Sequence, residues 1–396
     1  MILYLVCTKN RIMEVISRSK QLSDLFSLEK KIELKETNIS ITPFEFKQSF
    51  NEEEINSLQA NIVKSEFSEV ADNAISENKT FNYCVFSPKG KAKADDAILL
   101  LHGLNERSWN KYLIWAEYLT ETTGKPVILF PIAFHINRAP LLWSNARALV
   151  AWVEKRKLEI QGLKNSTFVN IALSSRISQN PFRFYASGRE TVMNIWQLMK
   201  EIKEGKHLLF KENANINLFG YSIGALLSNV LMISNPDNLF DNSKLFMFCG
   251  GSIFSKMNAN ARDIIDEEAN SKLQNYYTKD FFLKDVVPES SQDSIHKAFK
   301  SLLLPDKLRE FREDFFTSAS NRVRAITLKD DIVIPTAGAV DTFGRASDKI
   351  LEEIDFPYTY THQWAFPLNA VSKAALVNES FRKVFDKAAD FVLRTR

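Results

Sequence analysis

The sequence predicts an α/β protein built on an open, mostly parallel, doubly wound sheet. Three observations carry that prediction. Short apolar runs recur along the chain and alternate with stretches whose apolar residues fall at helical spacing. The run at 216–219 stops at Gly220-Tyr221-Ser222-Ile223-Gly224, after which Ala225, Leu226, Leu227, Val230 and Leu231 recur as on a helix. The run Ala-Ile-Leu-Leu-Leu at 97–101 leads straight into His102-Gly103-Leu104-Asn105. Parallel strands read as continuous apolar runs because both their faces are covered.

Composition narrows the class of protein. The chain has 396 residues, 45% hydrophobic and 25% charged, which is ample for a large core. Its 51 basic and 48 acidic residues leave a net charge of only +3, so no nucleic-acid partner is expected. Cys7, Cys84 and Cys249 are too few and too widely spaced for a disulfide framework or a metal site, and reduced thiols are expected. Nothing in the sequence calls for a cofactor. The apolar stretch at 1–7 is too short for a secretory segment and has no basic residues before it. No run approaches the roughly 18 apolar residues of a membrane span. A soluble, cytoplasmic protein is the expectation.

In order, residues 12–28 carry apolar positions at helical spacing, and 32–50 alternate as short strands do. Residues 51–70 read as a helix with an acidic first turn. We read 1–80 as an N-terminal extension that braces the main domain. A strand is expected at 81–87, then the strand at 97–101, a helix at 109–119 and a strand at 127–132. A loop, Ala-Phe-His-Ile-Asn-Arg-Ala-Pro, follows at 133–140. Residues 141–183 hold one helical stretch at 146–158 and turn polar at 165–180. An amphipathic helix at 188–202 leads to the strand before Ser222, and another strand at 244–249 ends in Gly250-Gly251. The block 254–321 is mostly helical and rich in aromatics. A strand at 323–328 ends in Asp330-Asp331 with Pro335 beyond, a short strand is expected at 355–360, and His362 follows. The last helix is expected at 379–393, with Asn378 as its cap.

The strand, the Gly-x-Ser-x-Gly turn and the helix at 215–231 resemble the nucleophile elbow of the α/β-hydrolase superfamily. Glycine is scarce here, 12 in 396 residues, which makes a chance match less expected. The alternative is a glycine-punctuated strand end with an inert serine. The His102-Gly103 turn resembles the one that supplies half of the superfamily's oxyanion hole. By that resemblance Leu104 N–H and Ile223 N–H are the two donors, and His102 is a structural residue of the turn. Asp331, with Pro335 four residues on, matches the Asp-x-x-x-Pro pattern that carries the triad acid; Asp330 is the alternative, one residue out of register. His362 falls where the base belongs and is the only histidine after that acid. The loop holding His135 and Arg138 resembles one that some bacterial members carry after their fourth strand. Both residues are candidates for substrate contact, with anchoring of the loop as the other reading.

The resemblance covers about 81–254 and 321–396, which we assign to the core. It implies that 255–320 is a helical cap whose aromatics shape a pocket for an apolar acyl or aryl group. It further implies a serine hydrolase acting on a carboxylic ester or thioester of a small molecule. Attack by Ser222 would be assisted by His362 and Asp331, with an acyl-serine intermediate. An acyltransferase on the same triad, or an inactive binding protein of the same fold, are the alternatives.

Overall fold

A nine-stranded sheet runs through the molecule, in the order β1-β2-β3-β5-β4-β6-β7-β8-β9. The structure is a computed structural model and describes residues 14–49, 71–90, 92–281, 287, 292–304, 306–369 and 371–394. The strands are β1 (Ile32–Glu33), β2 (Ile39–Lys47), β3 (Thr80–Pro88), β4 (Ala94–Leu101), β5 (Val127–Leu129), β6 (Phe210–Tyr221), β7 (Leu245–Phe248), β8 (Val323–Leu328) and β9 (Leu351–Ile354). From β5 to β9 every pairing is parallel, while β1, β2 and β3 join antiparallel at one edge. This is the α/β-hydrolase fold.

Side-chain alternation along the strands builds two cores, one on each face. In β4, Ala97, Leu99 and Leu101 enter one core, and Ile98 and Leu100 enter the other. The first core is closed by the helices Arg183–Lys203, Ile223–Ser234 and Ser294–Leu303. The second is closed by Val15–Leu25, Asn110–Thr123 and Ala374–Leu393. Each aliphatic side chain fully buried there contributes about 1.5–3 kcal/mol relative to exposure.

The winding of the sheet fixes where chemistry can occur. After β4 the chain crosses to β5 on one side, and β6 then returns to the other side of β4. Loops leaving the carboxyl ends of β4 and β6 therefore diverge and leave a crevice between them. The register pairs Leu101 with Gly220, so the His102-Gly103-Leu104 turn and Ser222 leave the sheet side by side.

Several local expectations differ from what is observed. Residues before 81 supply β1 and β2 to the same sheet, and β2 pairs with β3 along its whole length. The helix expected at 51–70 lies outside the described residues, as does Cys7. The polar stretch at 165–180 contains the helix Ile171–Gln179. Its buried polar residues are each satisfied at long range. Ser174 Oγ accepts from Asp266 N at 2.9 Å, and Arg176 pairs with Asp72 at 2.8 Å. The last parallel strand is Leu351–Ile354, four residues before the one expected at 355–360. There Phe356, Tyr358 and Tyr360 do alternate inward, but Pro357 has no amide to donate. The alternation records burial without ladder pairing. Asn378 lies inside the last helix, which begins at Ala374; its Oδ1 accepts from Val15 N at 2.8 Å. No described helix is long and apolar enough to cross a membrane.

The N-terminal helix is held by a buried ion pair. Arg18 donates through Nε and Nη2 to Glu117 at 2.9 and 2.5 Å, and the Glu117 side chain is fully buried. Arg18→Met should leave that carboxylate without its cation and cost about 3–5 kcal/mol. Urea denaturation checks this; a loss below about 1 kcal/mol would mean that Glu117 is satisfied without Arg18.

Candidate active site

The turn at Ser222 is strained, and the packing around it shows why the strain persists. Ser222 has φ 55° and ψ −120°, a region that side-chain-bearing residues avoid at a cost of about 1–3 kcal/mol. The chain must reverse there from β6 into the helix Ile223–Ser234 within one residue. Glycines make that reversal possible by close approach. A Cβ on Gly220 would lie 2.6 Å from Ala225 Cα, and one on Gly224 would lie 2.4 Å from the Leu101 carbonyl oxygen. A Cβ on Gly250, at the end of β7, would lie 2.3 Å from Ala225 Cβ.

Ser222, His362 and Asp331 stand in one hydrogen-bonded line. His362 Nε2 is 2.7 Å from Ser222 Oγ, and His362 Nδ1 is 2.7 Å from Asp331 Oδ2. The other carboxylate oxygen, Oδ1, accepts from the amides of Val333 and Ile334, both at 2.9 Å. Those two bonds fix the carboxylate plane and leave Oδ2 for the imidazole. Asp330 points to solvent, and its amide donates to Tyr360 Oη at 3.0 Å. All three side chains of the line are nearly buried, at 5, 3 and 4% exposure for Ser222, Asp331 and His362. Tyr221, the residue before the serine, donates its hydroxyl to the His362 carbonyl and stacks on its ring at 5.4 Å.

Cys249 Sγ comes within 4.8 Å of ligand atoms of Asp331 and His362, a grouping that invites the question of a metal. The donor set does not fit one. The 2.7 Å bond between His362 and Asp331 occupies the space an ion would need. Burial, together with the charge of Asp331, pushes the Cys249 thiol well up.

The turn after β4 is held from both ends. His102 Nε2 lies 3.0 Å from the Ile132 amide and accepts its proton. Nδ1 must then carry the ring proton, and it donates to the Gly103 carbonyl at 2.8 Å. Burial keeps this imidazole well below its ordinary range, in agreement with a neutral ring. The Gly103 amide donates to Tyr112 Oη at 2.9 Å, and that hydroxyl donates to Glu106 at 2.7 Å. Glu106 in turn pairs with Lys111. In a trans peptide the carbonyl and the next N–H point in opposite directions. Pinning the Gly103 carbonyl therefore turns the Leu104 N–H away from His102. Among the described residues, neither Leu104 N nor Ile223 N donates a hydrogen bond within the protein.

Arg138 and His135 separate in role. Arg138 is fully buried and bonds Asn78, the Pro131 carbonyl, Glu190 and Asn194, so it ties its loop to β5 and to the helix Arg183–Lys203. His135 borders a cleft of about 670 Å³, open mouth included, whose wall also contains Leu104, Trp143, Arg176, Arg183 and Phe184. No described residue of 255–320 borders this cleft. Several described aromatics of that block pack against the helix Arg183–Lys203: Tyr185 meets Phe281 at 5.1 Å and Phe299 at 5.2 Å, and Phe184 meets Tyr277 at 5.5 Å. Helically spaced aromatics serve a core in this way whenever a facing helix offers rings of its own.

Sequence reasoning passed over Tyr221, the Tyr112–Glu106–Lys111 group and the cleft residues Trp143, Arg176 and Arg183. Tyr221 sits at a position that the Gly-x-Ser-x-Gly pattern leaves open. Both arginines meet Asp72 across more than a hundred residues, and no local spacing records such a pairing.

The packing at Gly224 yields a test. Gly224→Ala drives a Cβ into backbone on β4, which cannot rotate away, and should cost about 3 kcal/mol or more. The urea midpoint checks it; an unchanged midpoint would show that β4 and the helix separate without penalty.

Comparison with solved structures gives several likenesses at low identity. An esterase from Pyrobaculum calidifontis is 10% identical, with a TM-score of 0.45, covering 95% of this chain and 92% of its own. A thermostable esterase from Pseudomonas putida is 10% identical, with a TM-score of 0.43, covering 97% and 98%. Carboxyl esterase 2 from Tuber melanosporum is 11% identical, with a TM-score of 0.43, covering 96% and 99%. No curated protein matches the chain in sequence. One family profile matches residues 13–393, and the chain accordingly belongs to that family, described as a family of unknown function (DUF6051).

Proposed function

We propose that the protein is a serine hydrolase that cleaves a carboxylic ester or thioester of a small molecule through an acyl-serine intermediate. The observation that carries this reading is the position of His362, 2.7 Å from both Ser222 Oγ and Asp331 Oδ2. An inert serine in a turn needs no such base, and a binding protein of this fold needs no aligned acid behind it.

In this mechanism His362 Nε2 removes the Ser222 proton as Oγ attacks the acyl carbonyl. Negative charge moves to the carbonyl oxygen, where the Leu104 and Ile223 amides receive it. His102 acts here as a positioning residue, through the Gly103 carbonyl. Asp331 holds His362 with Nδ1 protonated and stabilises the imidazolium that forms. The tetrahedral intermediate collapses, and His362 returns its proton to the departing alcohol or thiol. Water then enters, His362 takes its proton, and a second collapse frees the acid and Ser222. In the same reading, 81–254 and 321–396 form the catalytic core, and 255–320 caps it, inserted between β7 and β8.

Fluorophosphonate labelling tests the nucleophile. Wild type should label, and Ser222→Ala should not, while its melting temperature stays close to wild type. Equal labelling of both proteins would remove Ser222 from the role. Asp331→Asn should lower kcat about 10⁴-fold by favouring the wrong histidine tautomer, with Asp330→Asn near wild type. The reverse order of losses would move the acid to Asp330.

A further inference from the structure

Lys111 is a cation in a place where local rules would put an anion. It is the second residue of the helix Asn110–Thr123, whose first turn holds no acidic residue and whose N-cap, Trp109, makes no side-chain cap bond. The partial positive charge of a helix N-terminus disfavours a cation there. The side chain is nevertheless drawn in, to 16% exposure. A residue that breaks a local rule without local gain has its gain in contacts elsewhere in the fold.

Those contacts reach two segments that leave the sheet at different strands, β4 and β9. On one side, Lys111 Nζ pairs with Glu106 Oε1, the same oxygen that accepts from Tyr112 Oη at 2.7 Å. Tyr112 Oη in turn accepts from the Gly103 amide at 2.9 Å, so this side belongs to the turn that presents Leu104 N–H. On the other side, Lys111 Nζ donates to the Gln363 carbonyl at 3.2 Å. Gln363 follows His362, so this side belongs to the loop that carries the base. An ammonium has three protons to give, so it can bond both acceptors at once.

Two tyrosine rings frame the ammonium. Nζ lies 4.7 Å from the Tyr221 ring centre and 5.0 Å from that of Tyr112, within range of cation–π attraction. The two rings meet edge to face at 6.0 Å. Each hydroxyl serves one of the two segments: Tyr112 Oη holds the Gly103 amide, and Tyr221 Oη holds the His362 carbonyl. Successive carbonyls of the base loop, at 362 and 363, are therefore fixed from β6 and from the helix Asn110–Thr123. Residues 355–369 form no helix or strand, so these two bonds help to replace the ladder that the loop lacks.

We propose that Lys111 is a positioning residue of the Ser222 centre, fastening the loop of the base to the turn of the oxyanion donor. Its part in a reaction rests on the serine-hydrolase reading; the tie between the two segments does not. His362 must stay in line with Ser222 while the Leu104 amide stays within reach of the developing charge, and a misplacement of about 1 Å can slow a reaction about 100-fold. Lys111 holds both requirements to one atom.

The test combines amide deuterium exchange with the rate of fluorophosphonate labelling, both on the full-length protein. Lys111→Met keeps most of the side chain and removes its charge and its protons. It should speed exchange in peptides covering 361–366 about tenfold, with the helix Ala374–Leu393 unchanged. The Glu106 side chain bonds nothing in that loop among the described residues, so Glu106→Gln should speed the same peptides only through Lys111. Each variant should slow labelling of Ser222 by about 10- to 100-fold. The double variant should be no slower than the slower single one, because both break the same chain of contacts. Unchanged exchange at 361–366 in Lys111→Met overturns the tie, and losses that multiply in the double variant overturn it as well. If Lys111→Met does not fold, exchange in Glu106→Gln decides alone. Labelling of both single variants at the wild-type rate, despite faster exchange, removes the positioning role and leaves the hydrolase. A wild type that does not label, with exchange still faster in the variants, leaves the tie and removes the hydrolase.

Discussion

Gly224 approaches the end of β4 so closely that the helix after Ser222 and the turn after Leu101 are effectively one packed unit. The Leu101 carbonyl oxygen lies where a side chain on Gly224 would begin. That contact sets how far Ser222 stands from the Leu104 amide, because each is within three residues of it. It also explains why the Ser222 backbone can hold an unfavourable conformation: the surrounding contacts leave it no other. The same tightness recurs at Gly220 and Gly250, both against Ala225. Three strand ends, β4, β6 and β7, are thus drawn to one small volume.

The polar residues around this volume work mainly on direction. His102 fixes the Gly103 carbonyl, and Tyr112 fixes the Gly103 amide. Two backbone amides fix Asp331. None of these groups lies in the line from Ser222 to Asp331, yet each removes a rotation from a group that does or from a neighbouring amide. The orientation of these groups is set during folding.

How much could be read from residues alone depends on the range of the interaction. The turn at 220–224 was legible because glycine spacing, an apolar strand and a helical repeat all fall within twenty residues. The strand ends at 97–101 and 323–328 were legible for the same reason. His362 and Asp331 were legible as positions along the chain, but only the fold joins them to Ser222. Alternation misled at 355–360, where aromatic side chains point inward without a paired backbone. Polarity misled at 165–180, where Arg176 and Ser174 are buried because Asp72 and the Asp266 amide, each about a hundred residues away in sequence, satisfy them. The cleft was invisible, since its wall is assembled from segments separated along the chain, from Leu104 to Ser187.

Tyr221 gives the site a property of its own. Its backbone immediately precedes the serine, and its hydroxyl holds the backbone carbonyl of His362. The loop that carries His362 is therefore moored to the same strand end that presents Ser222. Thermal drift of that loop must carry the strand end with it or break a buried bond. The bond thus couples the position of the His362 loop to that of the strand end that presents Ser222.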